Sequence, residues 1–161
     1  MKSDMLLDLA RPHLERNDLG VGHTERVLDI SRMYFQRPYG RDEFVDAIAI
    51  LHDIGGPSIR EQYKNGPGIA RNLMELLQFS EEEIQEACEI IGAHHDRTEH
   101  PTEEFSILYD SDQMAKLTRE EFPHYEAEGT DWENVIMNMY HKSAQDIARK
   151  WLSERRGNES E

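Results

Sequence analysis

The chain is short of most of what could hold a small fold together from outside or carry it elsewhere. It has one cysteine, Cys88, among 161 residues, so an intrachain disulfide is excluded. With Ile84, Ala87 and Ile91 at helical spacing around it, that thiol reads as a small core side chain. Long apolar runs are missing too, and nothing approaches the roughly 18 residues of a membrane span. The opening stretch MKSDMLLDLARPH is interrupted by Asp4, Asp8 and Pro12 and lacks the apolar core of a secretory signal, so the expected location is the cytoplasm. Basic residues are the minority, 18 against 33 acidic ones, for a net charge of −15. Such a surface repels polyanions and argues against duplex nucleic acid as a partner, while one cleft could still take a small anion. No repeat, low-complexity block or proline- and glycine-rich linker divides the chain, and its length suits one domain, residues 1–155, with a frayed tail over 156–161.

Alternating strand patterns are also absent, and nearly every periodic segment has the helical period, so the expected class is all-α. Helices are expected at about 3–16, 22–36, 41–53, 67–78, 81–95, 102–116 and 131–155. Ser80 with Glu83 forms a capping box for the fifth, and Thr130 with Glu133 caps the last. The third is apolar on almost every side through Phe44, Val45, Ala47, Ile48, Ala49, Ile50 and Leu51, which makes it the central helix. The acidic runs 81–83 and 103–104 read as solvated first turns. The stretch 120–130 either covers a cleft or merely connects helices. Trp151 and Tyr140 either mark a homodimer interface or pack within the bundle.

Against this background a few polar residues are out of place. The buried helix reads AIAILHDIGG, ending in His52 and Asp53 before two helix-terminating glycines. Burying an imidazole beside a carboxylate costs several kcal/mol, on the order given by transfer data, unless something pairs with them. His23 lies on the inward stripe of Val27, Ile30 and Tyr34. In EFSILYDSDQMAKL, Asp112 falls in the middle of the face made by Phe105, Leu108, Tyr109 and Ala115, whereas Asp110 points towards the side of Ser106 and Met114. Two histidines and two aspartates on three helices meet the needs of one divalent ion. Nitrogen and oxygen donors together suit Mn²⁺, Fe²⁺, Co²⁺, Ni²⁺ or Zn²⁺, with Mg²⁺ also admitted.

The order His23, His52-Asp53, Asp112, with GHTERV at the opening, HDIG in the middle and DSDQM at the close, resembles the HD-domain superfamily of metal-dependent phosphohydrolases over residues 20–117. The resemblance implies a helical bundle of about six to eight helices and the ligand set His23, His52, Asp53 and Asp112. Phosphate chemistry is implied by the resemblance alone. Some relatives add histidines and hold two ions, and a branch acting on dinucleoside polyphosphates has His-Gly-Pro where this chain has Asn65-Gly66-Pro67. That departure favours one ion. His94 is retained at a later ligand position, followed by His95, and neighbours on a helix diverge by about 100°, so one of the two is expected to face away.

Gly56 stands where many relatives have a lysine, leaving Lys64, Arg60 or Arg26 to meet phosphate. The roles implied are Asp53 as general base, Arg26 as a clamp on a non-bridging oxygen, and His94 or His95 against developing charge, with Lys64, Asn65, Arg60 and His95 on the substrate side. The remaining histidines, His13, His100, His124 and His141, read as surface residues. The expected activity is cleavage of a phosphoester or phosphoanhydride bond of a small phosphorylated metabolite, a nucleotide. The alternatives are a di-iron oxygenase of the same superfamily and a non-catalytic ligand-sensing module.

Overall fold

The computed structural model describes residues 2–157, so the tail residues 158–161 lie outside the described residues. Among the described residues there are nine helices and no strand: α1 (Lys2–Leu14), α2 (Gly20–Tyr34), α3 (Asp42–Leu51), α4 (Ile59–Leu76), α5 (Glu81–Ile91), α6 (Glu103–Ala115), α7 (Phe122–Ala127), α8 (Trp132–Met137) and α9 (Lys142–Arg155). The all-α class is as expected, and the count exceeds the six to eight anticipated. No helix is long and apolar enough to cross a membrane.

The apolar helix is the axis of the bundle. Every residue of α3 from Phe44 to Leu51 is buried, and α1, α2, α5 and α6 pack around it. One of those residues is Asp46, whose carboxylate accepts from Ser3 Oγ at 2.7 Å and from Arg32 Nη2 at 2.8 Å, and is paired with Arg37. This cluster ties α1, α2 and the α2–α3 connection to the axis. Helix α6 is buried throughout from Phe105 to Ala115, so it is a second interior helix.

Three segments differ from expectation. Helix α4 starts at Ile59, not at Pro67, because Ser58 caps it by accepting from Glu61 N at 3.1 Å. Its buried stripe Gln62, Gly66, Ala70, Leu73 and Met74 then runs on at helical spacing through the proline. The packing of that stripe offsets the backbone hydrogen bond that Pro67 removes. The stretch 120–130, left open between cleft cover and connector, contains α7. The last helix is two, α8 and α9, and Asp131 rather than Thr130 caps the first of them, accepting from Asn134 N at 3.2 Å.

The break between α8 and α9 has a cause on α6. Asp110, fully buried, accepts from the backbone N–H groups of Tyr140 and His141, both at 2.8 Å, and from His141 Nδ1 at 2.7 Å. His141 is therefore half-buried and anchored, not a surface residue. Tyr140 and Trp151 both pack within the chain, Tyr140 edge-on to Tyr109 at 5.2 Å and Trp151 edge-on to Tyr34 at 5.5 Å. The capping box of Ser80 and Glu83 is present as read.

Candidate metal centre

Helix α3 ends with His52 in its C-cap position, and the next residues turn sharply under α4. A Cβ on Gly55 would lie 2.5 Å from Glu61 O and 2.6 Å from Gly66 N, so only glycine lets α4 approach this closely. Gly56 takes φ 146°, open to glycine and strained for other residues. The turn leaves Asp53 pointing between the C-terminus of α3, the first turn of α2 and the middle of α6.

There His23, His52 and Asp112 bring ligand atoms within 4.8 Å of one another. His23 Nε2 lies 3.0 Å from Asp112 Oδ1, 3.3 Å from His52 Nε2 and 3.4 Å from Asp53 Oδ2; His52 Nε2 lies 3.4 Å from the same Asp53 oxygen. A second group, Asp53, His94 and His95, meets the same criterion, with His94 Nε2 3.3 Å from Asp53 Oδ1. Asp53 thus turns one oxygen to each group. All four residues singled out as ligands come together here.

The tautomers follow from the partners. His52 Nδ1 lies 2.7 Å from Ala49 O and His94 Nδ1 2.9 Å from Ile91 O. A carbonyl can only accept, so both rings carry their hydrogen on Nδ1. His23 Nδ1 donates to Glu121 Oε2 at 2.8 Å. In each ring the N–H points outward and the Nε2 lone pair points into the centre, the arrangement typical of metal-bound histidine. Three lone pairs and two carboxylates facing one another repel unless a cation lies among them, so the donor set fits a divalent ion.

Without an ion, protons answer the same demand. Burial lowers the His23 pKa, but hydrogen bonds to Asp112 and Glu121 and the charges of Asp112 and Asp53 outweigh it and raise it well above the ordinary value. His52 is likewise raised, against its burial, by Asp53 and Asp112. Burial pushes Asp53 up, but the charge of His52 and the bond from His94 carry it down to about 2, and Asp112 is held well below the usual carboxylate range by His23 and His52 despite its own burial.

Both His94 and His95 face the centre, correcting the expectation that one turns away. Helix α5 ends at Ile91, so the 100° divergence no longer applies, and the two rings lie 4.1 Å apart. His95 Nε2 donates to Gln62 Oε1 at 2.8 Å, and Gln62 in turn donates to Gly56 O at 3.1 Å. Burial, aided by His94, pulls His95 down to about 4, so it is neutral at pH 7.

The centre opens into a cleft of about 410 Å³ whose lining includes His23, Asp53, Asp112, Gln62, His95, Lys116, His124 and Tyr125. The cations assigned to phosphate from sequence are elsewhere. Lys64 and Arg60 are exposed and do not line the cleft, and Asn65, also exposed, donates to Gly55 O at 3.4 Å. Arg26 is bound by Glu121, its Nε donating to Oε2 at 2.7 Å. The cation on the wall is Lys116, one turn after Asp112 and in the C-cap position of α6. It has no carboxylate partner among the described residues and lies 5.2 Å above the Tyr125 ring. The four-residue spacing from Asp112 is the signal that could have found it. Gln62 and Glu121 gave no such signal, since both fall between the helices expected from sequence.

Compared with known proteins, a family model described as HD domain matches residues 20–128. No curated protein and no solved structure matches the chain.

Proposed function

Because the chain belongs to the HD domain family, whose model covers well over half of it, we propose that it is a metal-dependent phosphohydrolase acting on a small phosphorylated metabolite, a nucleotide in particular. The observation that carries this reading is the convergence of His23, His52 and His94 lone pairs on Asp53 and Asp112. His23, His52, Asp53 and Asp112 would hold one ion. A second at Asp53, His94 and His95 is the reading the geometry supports over the single ion expected from sequence. When bound, the ions supply Lewis acidity for a phosphoryl oxygen and acidify water.

The chain's own residues do the rest. Asp53, ionised throughout the neutral range, is placed to accept the proton of an attacking water. Lys116, which makes no ion pair among the described residues, meets the phosphate charge at the cleft wall. The Tyr125 ring beside it offers an apolar face to a nucleobase. His95 is kept neutral by burial and oriented by Gln62, so that it presents a lone pair to the centre rather than a charge. Arg26, whose Nε is held by Glu121, is engaged there and does not line the cleft.

The test joins metal content per chain, on protein purified without chelator, to a phosphate-release screen over phosphate esters and nucleotides. The Lys116→Ala and Asp53→Ala variants run alongside. Metal in the wild-type protein, phosphate release abolished in Asp53→Ala, and a raised KM in Lys116→Ala support the reading. The second ligand group also suits a di-iron oxygenase, which iron at two per chain with oxygen uptake and no phosphate release would favour instead.

A further inference from the structure

We infer that Glu121 is a positioning residue that sets one metal ligand and the cleft wall together, by fixing the tautomer of His23 and docking the start of α7 with the same carboxylate. The inference rests on the reading of this centre as a metal site.

Among the described residues, His52 and His94 have their tautomers set locally. Each stands at or just beyond the C-terminal end of a helix, where the last carbonyls have no amide to receive, and each donates its Nδ1 hydrogen to the carbonyl three residues earlier. His23 cannot do this. It stands in the first turn of α2, where carbonyls point along the helix and are taken by the amides of the following turn. Its Nδ1 needs an acceptor from elsewhere in the chain, and Glu121, 98 residues away, supplies it at 2.8 Å.

The carboxylate is costly in that position. Glu121 is fully buried in a chain that carries a net charge of −15, directly after the exposed residues Arg119 and Glu120. It is also unevenly used. His23 Nδ1 and Arg26 Nε both donate to Oε2, while Oε1 is buried with no partner. A pairing selected only to neutralise Arg26 would use both oxygens against the guanidinium fork. Here the arginine reaches with one nitrogen and the other donor is the imidazole, so the geometry is organised about His23. Arg26, three residues along α2, shares the oxygen that serves His23. A charged acceptor also makes the opposite ring nitrogen a stronger donor to a metal than a carbonyl acceptor does.

The same residue sets the wall. Glu121 N bonds Thr118 O at 3.2 Å, and α7 begins at the next residue, Phe122. From there α7 carries His124 and Tyr125 to the cleft. Moving Glu121 off His23 would therefore loosen a ligand and displace the substrate wall in one event.

The test uses the full chain and two variants, Glu121→Gln and Arg26→Ala, each titrated with Mn²⁺ and with Zn²⁺ by competition against a chelating dye. The His23 tautomer is read in the metal-free protein from imidazole nitrogen shifts, at a pH high enough for the ring, whose pKa is raised, to be neutral. Loss of a carboxylate behind a ligand histidine typically lowers metal affinity about 10- to 100-fold. Glu121→Gln should show that loss and a larger share of the Nε2–H form of His23, because a neutral amide oxygen is a weaker acceptor for Nδ1–H, with its unfolding temperature close to that of the wild type. Arg26→Ala should keep wild-type affinity or bind more tightly, because Glu121 then serves His23 alone. Unchanged affinity and tautomer in Glu121→Gln overturn the inference, as does a tenfold or greater loss in Arg26→Ala, which would make the pair a structural ion pair. Should Glu121→Gln fail to fold, the Arg26→Ala titration decides. A wild-type chain that takes up neither ion refutes the metal-site reading itself.

Discussion

Replacing Gly55 by alanine tests the packing that places Asp53 beneath α4. The new Cβ would lie 2.5 Å from Glu61 O, 2.6 Å from Gly66 N and 2.8 Å from Gln62 Cα, all of them backbone atoms of α4. Reaching an ordinary contact of 3.4 Å requires α4 to withdraw by about 0.9 Å. No side-chain rotation can relieve this, so the cost should lie at or above the upper end of the usual 1–3 kcal/mol for overpacking, about 3 kcal/mol. For a domain of this size that is a fall in unfolding temperature of about 6–12 °C.

The withdrawal also carries Gln62 away from His95, so metal uptake should weaken in parallel. Gly68, 13 residues on in α4, is the internal control. Nothing lies within 4 Å of a Cβ built there, and the residue is exposed. Gly68→Ala should therefore gain helix propensity, about 0.5–1 kcal/mol. Thermal unfolding of both variants by circular dichroism, with and without metal, separates the two. A Gly55→Ala protein within 2 °C of wild type would refute the close approach of α4, as would an equal loss in Gly68→Ala.

Other perturbations have equally definite outcomes. Removing Asp46 strands Arg37 against α3, and Asp46→Ala should cost about 3 kcal/mol in urea unfolding, the scale of a broken buried pair. Burial raises the Asp46 pKa, but its bonds from Arg32, Ser3 and Arg37 outweigh that and hold it below the ordinary value. The contribution is therefore complete above the unfolded-state pKa of about 4 and lost as pH falls through the lower folded value, so wild type and Asp46→Asn should converge in stability in acid. His141 has the opposite sign. Burial lowers its pKa, but Glu103 and Asp110 raise it overall, so its contribution is complete below about pH 6.5 and lost as pH rises through the folded value. His141→Gln should accordingly be destabilised more at pH 6 than at pH 9. Saturating metal at about 100 times Kd should add about 2.7 kcal/mol to unfolding, and a chelator should remove it; no shift would mean that the centre takes no ion.

The ligands were legible because each contradicts its surroundings. Asp112 sits in the middle of an apolar stripe and His52 ends a helix buried on all sides, so each called for a partner before any fold was known. The groups that orient those ligands were not legible. Glu121 falls in the stretch 120–130, read as either covering a cleft or connecting helices, and only the turn after α6 sends one of its two leading glutamates inward. Gln62 fell in a stretch read as irregular, because Pro67 looked like a helix start while the stripe that carries α4 through it lies partly upstream. The fate of His95 depended on where α5 stops, and one turn of difference in that boundary decides whether adjacent rings diverge or converge. Asp110 was read as facing aside, since its partners are backbone amides of 140 and 141, which leave no mark in residue type.

The buried carboxylates also show why a cation fits in one place and not in others. Asp46 is answered by Arg32 and Arg37, Glu121 by Arg26 and His23, and Asp110 by His141 with two backbone amides. Each of those acids has a permanent cation or a full set of donors. Asp53 and Asp112 have neither, because the nitrogens they face belong to rings whose other nitrogen already donates to Glu121, Ala49 O or Ile91 O. Their charge is met either by protonating imidazoles against the cost of burial, the condition that raises His23 and His52, or by an ion that uses the lone pairs as they stand. An ion removes the proton requirement and the lone-pair repulsion at once, so the centre is built for exchange of protons for metal, and its affinity for metal must fall as protons become available to compete.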